Sequence, residues 1–533
     1  MNDKMRIISR GELGYRLTQS FSRLESEHYL PNVIWSKDDH SWPGDWEGRT
    51  ILGLVGLGKS TGKEPSYLEE IIELLPTKLN EYGYMGEIYP DGQISEQQLA
   101  GNSWLLRGLI EYTYWKKTKR LMGIIEKMVR ALYLPLREEI NDYPIERYEK
   151  EGNYSGSIIA IRGKWLLSTD MGCAYISMDG ISAAYELLGW KELGELLNKM
   201  ISKFSSTNIY DLLYQTHATL SAVRGIIRTY KITNKEEYLE IAESIFALYL
   251  KAGQTENFSN QNRFQTCDWT EPCGIVDSFI CCIELYKFTK KVEYIVMAHK
   301  IYFNAICHSQ LSNGGFGLER AVMSNEDLCF TKNPDGTVTE AFWCCTMRGA
   351  DGLSYVSQNQ ILCENNELTY LNYFDSEVSI EDITVKAKSY YPSTGKVVFD
   401  ISGAFEKNVK LNLFIPDYAE VATVILDKEE REVMPLNGFV RLEISKECKL
   451  VLSFDIPLIK TECTNPKLRN EFYKMMHGYL LLGKNTNTEN TVCEQFYDDK
   501  MHNDKEFVVL NRTVFQHVSH AENENVKILF RKG

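Results

Sequence analysis

Clusters of lysine and arginine are scarce in this sequence, and its formal charge is −14. Phosphate binding needs a concentrated basic face, so nucleic acid and anionic membrane surfaces are not expected partners. Equally missing is any apolar run near the roughly 20 residues that span a bilayer. The opening MNDKMRIISRGELGYRL has no apolar h-region either, so the expected location is cytoplasmic. A disulfide framework is also unexpected. The 13 cysteines are odd in number, they include the adjacent pairs Cys281-Cys282 and Cys344-Cys345, and 533 residues can build a core without cross-links. The thiols are therefore expected to be reduced, with some available to a metal, and the expected ligand is small and neutral or polar.

From Gly11 to about Cys363 the apolar residues recur at helical spacing, broken by Gly, Asn and Asp. The pattern predicts about a dozen helices, among them 45–57, 96–115, 170–188, 217–233 and 271–289. Several come in pairs joined by a Lys/Thr hinge followed by a tyrosine, as in HATLSAVRGIIRTYKITNKEEYLEIAESIFALYL and EPCGIVDSFICCIELYKFTKKVEYIVMAHKIYFNAI. About six such hairpins would close into an (α/α)6 toroid with its inner helices pointing their N-terminal ends at a central pocket. An open solenoid is the alternative.

After Cys363, segments such as ITVKAKSYY, KVVFDIS and KLVLSFDI alternate apolar and polar residues between turns such as PSTGK. The expected organisation is a barrel over 1–365, an antiparallel β-sandwich over 366–460, and a second β-rich domain, or the completion of the sandwich, over 461–533. These β-domains are the expected surface for a homodimer.

Two helix starts carry chemistry-bearing residues: Glu271 with Cys273 in TEPCG, and Cys344 with Cys345 in TEAFWCC. A Glu and a Cys two apart at a helix start can face one point, and a Cys-Cys pair can complete a Cys3Glu tetrahedral zinc site. Plain core packing explains any one of these cysteines equally well, since free Cys is among the most buried residue types. Cys281 and Cys282, mid-helix in FICCIEL, are read as packing. GKST at 58–61 ends like a phosphate-binding loop but lacks the glycine spacing and strand-to-helix setting of one.

Glu271-Pro272-Cys273 and Cys344-Cys345 together resemble glycoside hydrolase family 127, the β-L-arabinofuranosidase group, which opens one barrel helix with E-x-C and a later one with C-C. Asp45-Trp46-Glu47-Gly48-Arg49, GNSWLLRGLIEYTYWKKTKR and THATLSAVRGI resemble further family segments in the same order. The resemblance covers most of the chain. It implies a retaining glycosidase acting on a small carbohydrate, with zinc as cofactor and Glu271, Cys273, Cys344 and Cys345 as its ligands. It also implies that Cys344 is the nucleophile and that Glu256, in a Glu-x-Phe setting, is the acid/base, with Glu319 and Glu340 in reserve. A zinc-bound thiol is deprotonated at neutral pH, which makes it a nucleophile for an anomeric carbon.

His217, Asn102, Trp269, Trp343 and Arg348 are the expected substrate contacts. Imidazole and amide groups bind hydroxyls, and tryptophans stack on sugar faces. Where the family pair is followed by prolines and an asparagine, this chain has Thr346, Met347 and Arg348. Arg348 would favour an acidic sugar if it faces the substrate, and is otherwise an ion-pair partner. Two other readings of the same toroid stand: a metal-free sugar epimerase or unsaturated-uronyl hydrolase, and a non-catalytic carbohydrate-binding protein.

Overall fold

The structure is a computed structural model that describes residues 5–36, 41–145, 156–266, 269–320, 327–485, 507–510, 513–517 and 525–531. Six helices form an inner ring: Asp45–Thr61, Glu96–Lys116, Ser177–Leu188, Thr216–Thr233, Pro272–Thr289 and Cys345–Asn359. Each packs on the next, and the last packs back on the first, so the hairpins close into an (α/α)6 toroid and not an open solenoid. The inner helices are apolar or buried nearly all round; Glu96–Lys116 is continuously buried from Glu96 to Ile110. Outer helices carry one apolar stripe, as in Lys191–Ser205, which buries Leu193, Leu196, Leu197, Met200, Ile201 and Phe204 at helical spacing.

Two features of the sequence make this ring possible. At Gly48 an added Cβ would lie 2.1 Å from the Leu105 nitrogen, so the first two inner helices cross where no side chain fits. Five of the inner helices then end on a left-handed residue: Gly62, Lys117, Gly189, Asn234 and Lys290. These are the polar hinges of the repeat, where the left-handed residue satisfies the last helical carbonyls and reverses the chain. The expected helix 170–188 starts later, with a 3-10 turn at Cys173–Ile176 and the α-helix at Ser177–Leu188. Gly172, at φ 83 and packed against the Tyr214 ring, interrupts it and leaves Asp170 in a loop.

The C-terminal part is a β-sandwich. One sheet orders Met5–Ser9, Ser376–Ile380, Ile383–Ser389, Gly395–Gly403, Cys448–Phe454, Ala422–Leu426 and Glu429–Val433. The facing sheet orders Phe439–Ile444, Val409–Phe414, Glu367–Tyr370 and Ile361–Glu364. Alternating burial along Ile383–Ser389 and Gly395–Gly403 shows one face of each strand turned to the core. The pairing is antiparallel except between Val409–Phe414 and Glu367–Tyr370. The strand Met5–Ser9 belongs to this sandwich, not to the barrel, because it pairs with Ser376–Ile380. A further sheet contains Leu458–Glu462, Phe472–His477, Leu480–Asn485, Thr513–His517 and Phe507–Leu510. Of the expected second β-rich domain over 461–533, residues 486–506, 511, 512, 518–524, 532 and 533 lie outside the described residues. Among the described residues no helix is long and apolar enough to cross a membrane.

Barrel and β-domains meet through buried polar contacts as well as apolar ones. Asn304, on the last outer helical segment, donates to the Tyr479 carbonyl and accepts from the Leu481 amide. His299 lies 2.7 Å through Nε2 from the Leu371 carbonyl and 2.9 Å through Nδ1 from the Tyr391 hydroxyl. Nε2 donates to that carbonyl, so Nδ1 accepts from Tyr391 and the ring is neutral.

Burial holds the His299 pKa down at about 4 against an ordinary 6.5. Its stabilising contribution is fully present above pH 6.5. As pH falls from 6.5 towards 4 only the unfolded chain takes up the proton, which removes roughly 3 kcal/mol of stability. Denaturant unfolding measured from pH 7 to pH 4 is therefore expected to show a shallower pH dependence in His299→Gln than in the wild type. Equal slopes would assign the acid sensitivity to other groups.

Candidate active site

The N-terminal ends of the inner helices surround a cavity of about 420 Å3. Most of its lining comes from the starts of five of the six inner helices and the loops before them, all but Glu96–Lys116: Trp42, Asp45, Trp46 and Arg49; Asp170 and Ile176; Gln215 and His217; Trp269, Glu271 and Cys273; Trp343, Cys344 and Cys345. Leu318 completes one wall. Tryptophans thus rim a pocket whose interior is polar and sulfur-bearing.

Local sequence explains how the sulfurs arrive there. Pro272 sits at the first helical position with its φ already set, which leaves Glu271 as the extended N-cap and Cys273 in the first turn. At the start of the next inner helix, a tight turn bonds the Cys344 and Thr346 amides to the Ala341 carbonyl. Cys344 is then the N-cap and Cys345 the first residue of the last inner helix. The Cys273 and Cys345 sulfurs are 3.4 Å apart, and those of Cys344 and Cys345 are 3.2 Å apart. All three lie within 4.8 Å of one another. These separations are far beyond a disulfide bond of about 2.05 Å. A tetrahedral ion with metal–sulfur bonds of about 2.3 Å holds its sulfurs about 3.8 Å apart, so the three need spread by only about half an ångström to take one. Glu271 stands beside the group, held by the Gln215 side-chain amide at 3.3 Å. Cys273, Cys344 and Cys345 could together hold a metal ion.

The three thiols are not equivalent. Burial would raise the Cys273 thiol, but the neighbouring Cys344 and Cys345 as donors, with Arg49 and His217, more than offset it and hold Cys273 well below its ordinary value. Hydrogen bonding to that Cys273 anion raises Cys344, and burial first of all raises Cys345. Cys273 and Cys345 are buried, whereas Cys344 is partly exposed to the cavity. Burial also pushes the Glu271 carboxyl well up, with the charges of Cys273 and Asp170 adding to it.

Beneath the cavity Trp104 forms a plug. The guanidinium groups of Arg49 and Arg348 lie 4.3 and 4.6 Å from its ring centre, and His217 stacks on it at 5.9 Å. Asp277 binds Arg224 at 2.7 Å, pairs with Arg348, and accepts from Ser221 at 2.7 Å. His217 lines the cavity with its Nε2 3.6 Å from Asp277, and that nitrogen has no hydrogen-bond partner among the described residues. Burial brings its pKa down to about 4, so at neutral pH it is an uncharged group suited to a hydroxyl.

The expected site residues separate clearly on this geometry. Glu271, Cys273, Cys344, Cys345, His217, Trp269 and Trp343 meet at the cavity. Glu256 does not. It is 2% exposed, pairs with Lys474 at 2.7 Å, and accepts the Thr464 and Asn465 amides, so it fastens the barrel to the C-terminal sheet. Arg348 is likewise corrected: fully buried between Asp277 and Asp351, it cannot meet a substrate. Asn102 is also fully buried, donating to the Pro43, Met85 and Gln98 carbonyls and accepting the Met85 amide, which makes it a brace for the loop before Trp46.

The reserve acids are committed as well. Glu319 accepts from His308, Ser309, Asn257 and Ser259. Glu340 is clamped by Arg23 and Thr346. The cavity residues that the sequence did not single out are Trp42, Asp45, Arg49, Asp170 and Gln215. Their shared signal is position at the start of an inner helix, which becomes visible only once the ring order is known.

No protein-family model and no curated protein matches the chain. Solved structures do. A GH127 β-L-arabinofuranosidase from Geobacillus stearothermophilus T6 is similar at a TM-score of 0.65 and 13% identity, over 90% of this chain and 86% of that one. A second GH127 β-arabinofuranosidase gives 0.66 at 12% identity, over 91% and 84%. A glycoside hydrolase gives 0.70 at 12% identity, over 98% and 96%. At such identities the likeness is one of fold, and it extends through the barrel and the β-domains.

Breaking a buried ion pair by removing one partner costs about 3–5 kcal/mol. Glu256→Gln is expected to lower the melting temperature, while any turnover by the folded protein stays within a few-fold. A turnover loss of about a hundredfold or more in folded protein, the scale of a lost general acid, would return Glu256 to catalysis.

Proposed function

We propose that this protein is a retaining glycoside hydrolase in which Cys344 is the nucleophile and Glu271, Cys273, Cys344 and Cys345 hold a zinc ion. The observation that carries the reading is the meeting of three sulfurs from two helix starts, 72 residues apart in sequence, on the wall of a tryptophan-rimmed pocket. The likeness in fold to two β-arabinofuranosidases supports the same reading. Bound zinc would keep its thiol ligands deprotonated at neutral pH.

The chain's own groups divide the remaining work. The pocket is lined by tryptophans whose faces suit a sugar ring, while the uncharged His217 and the Gln215 amide can bind its hydroxyls. Cys344, the sulfur with access to the cavity, attacks the anomeric carbon: a C–S bond forms as the glycosidic C–O bond breaks. The leaving oxygen needs a proton at that moment, and water must later lose one as it displaces sulfur.

With Glu256 in the domain junction, the acid/base is assigned among the cavity carboxyls. Asp45 is paired with Arg49 at 2.8 Å, and Glu271, beside the three-sulfur group and held by Gln215 at 3.3 Å, is reserved for the ion. Asp170, in the loop before its helix on the cavity wall and 3.9 Å from Arg263, is the carboxyl proposed for the role. Among the described residues Arg49 is the one arginine lining the cavity; it is committed to Asp45, and Arg348 is buried elsewhere, so a neutral sugar fits better than an acidic one.

The test is a panel of aryl furanosides and pyranosides run with metal analysis. About one zinc per chain is expected. Cys344→Ser should abolish turnover with the fold intact, and full activity in that variant would exclude the nucleophile assignment. Asp170→Asn should lower kcat by about 10²–10⁴-fold, most for poor leaving groups. A uniform small loss across leaving groups would remove Asp170 from proton transfer.

A further inference from the structure

Three thiolates and a carboxylate around a divalent ion leave two negative charges over in a buried site, and such charge requires a partner. Arg49 stands in that place. Its Nη1 is 3.3 Å from the Cys273 sulfur, its Nε is 2.8 Å from Asp45, and its plane lies 4.3 Å from the centre of Trp104. Side chain and sulfur are both buried, at 5% and 2% exposure. Held on three sides, the guanidinium has little freedom to turn elsewhere. The described hydrogen-bond partners of Cys344, by contrast, are sulfurs and not a guanidinium: Cys345 at 3.2 Å and Cys273.

We propose that Arg49 is a positioning residue that makes Cys273 the permanent, inert thiolate of the site and so leaves Cys344 as the sulfur that reacts. The inference rests on the reading of the site as a zinc-thiolate centre. A charge-assisted N–H···S bond draws electron density from the sulfur that accepts it. Cys273 therefore keeps its negative charge while losing nucleophilicity. A sulfur without such a donor keeps its nucleophilicity and is the one able to leave the ion and attack. Partners of this kind behind a ligand commonly govern metal retention. Lysine cannot replace the fork, because an ammonium group cannot bind Asp45 and the sulfur in one fixed plane.

The experiment follows zinc loss from the full-length protein to excess chelator, with peptide mapping of iodoacetamide labelling on the same samples. Wild type is compared with Arg49→Met and Arg49→Lys, each checked for fold by circular dichroism. In Arg49→Met, zinc loss is expected to accelerate about 10- to 100-fold, and labelling to spread from Cys344 to Cys273. Arg49→Lys, which keeps the charge, should recover part of the zinc retention but not the labelling selectivity; if Arg49→Met does not fold, this loss of selectivity alone carries the test. Zinc present in all three proteins, with equal loss rates and labelling confined to Cys344, overturns the inference and leaves the reading of the site intact. A wild-type chain without zinc overturns both.

Discussion

Closure of the inner ring is the constraint on which the site depends. The helix Cys345–Asn359 packs against both Pro272–Thr289 and Asp45–Thr61: the first contact brings Cys345 to 3.4 Å from Cys273, and the second, which closes the ring, brings Arg49 of the first inner helix to 3.3 Å from the Cys273 sulfur. In an open solenoid the two cysteine motifs would still meet on successive repeats, but the Asp45–Arg49 wall of the cavity would be missing. The close helix crossings carry this constraint: Gly48 against Leu105, and Gly352 against the Val276 side chain, where an added Cβ would lie 2.4 Å away. The ring could not shrink to its present diameter with larger residues there, and the sulfurs would not meet.

Beneath the site, the barrel interior is charged where an ordinary core would be apolar. Arg107, Arg224 and Arg228 surround Asp179, while Arg224 and Arg348 hold Asp277. Burial would raise both carboxyls, yet the arginines more than offset it and keep them ionised. Pairs of this kind add little net stability compared with apolar packing, but removing one partner is costly. Their effect here is geometric. They fix Trp104, and Trp104 in turn supports His217 and Arg49 at the cavity floor. The orientation of the pocket is thus set from below by charge and at its rim by tryptophan.

The sequence made the fold class legible because repeats with left-handed hinges announce hairpins, and alternation after Cys363 announces strands. The Glu271-x-Cys273 and Cys344-Cys345 motifs were legible for a similar reason: each is local, and its geometry follows from a helix start. The misassigned residues were decided by distant partners. Glu256 is claimed by Lys474, 218 positions away, and Arg348 by Asp277, 71 positions away. Asn102 turns to the Met85 loop, and Met5–Ser9 joins a sheet formed by strands some 370 residues later. Asp170 was hidden because the periodicity seemed to carry a helix through it, when Gly172 breaks the chain there. Local chemistry can be read from spacing, whereas partners brought together by closure cannot.

The central claim is that Cys344 bonds covalently to the sugar. The most direct measurement is to quench the enzyme in acid during turnover of a slowly released glycoside and map the peptides by mass spectrometry. The account predicts one glycosyl residue added to the peptide carrying Cys344, on that sulfur, and absent from Asp170→Asn given a poor leaving group. Steady turnover with an unmodified Cys344, or with the sugar attached to a carboxylate, would contradict it.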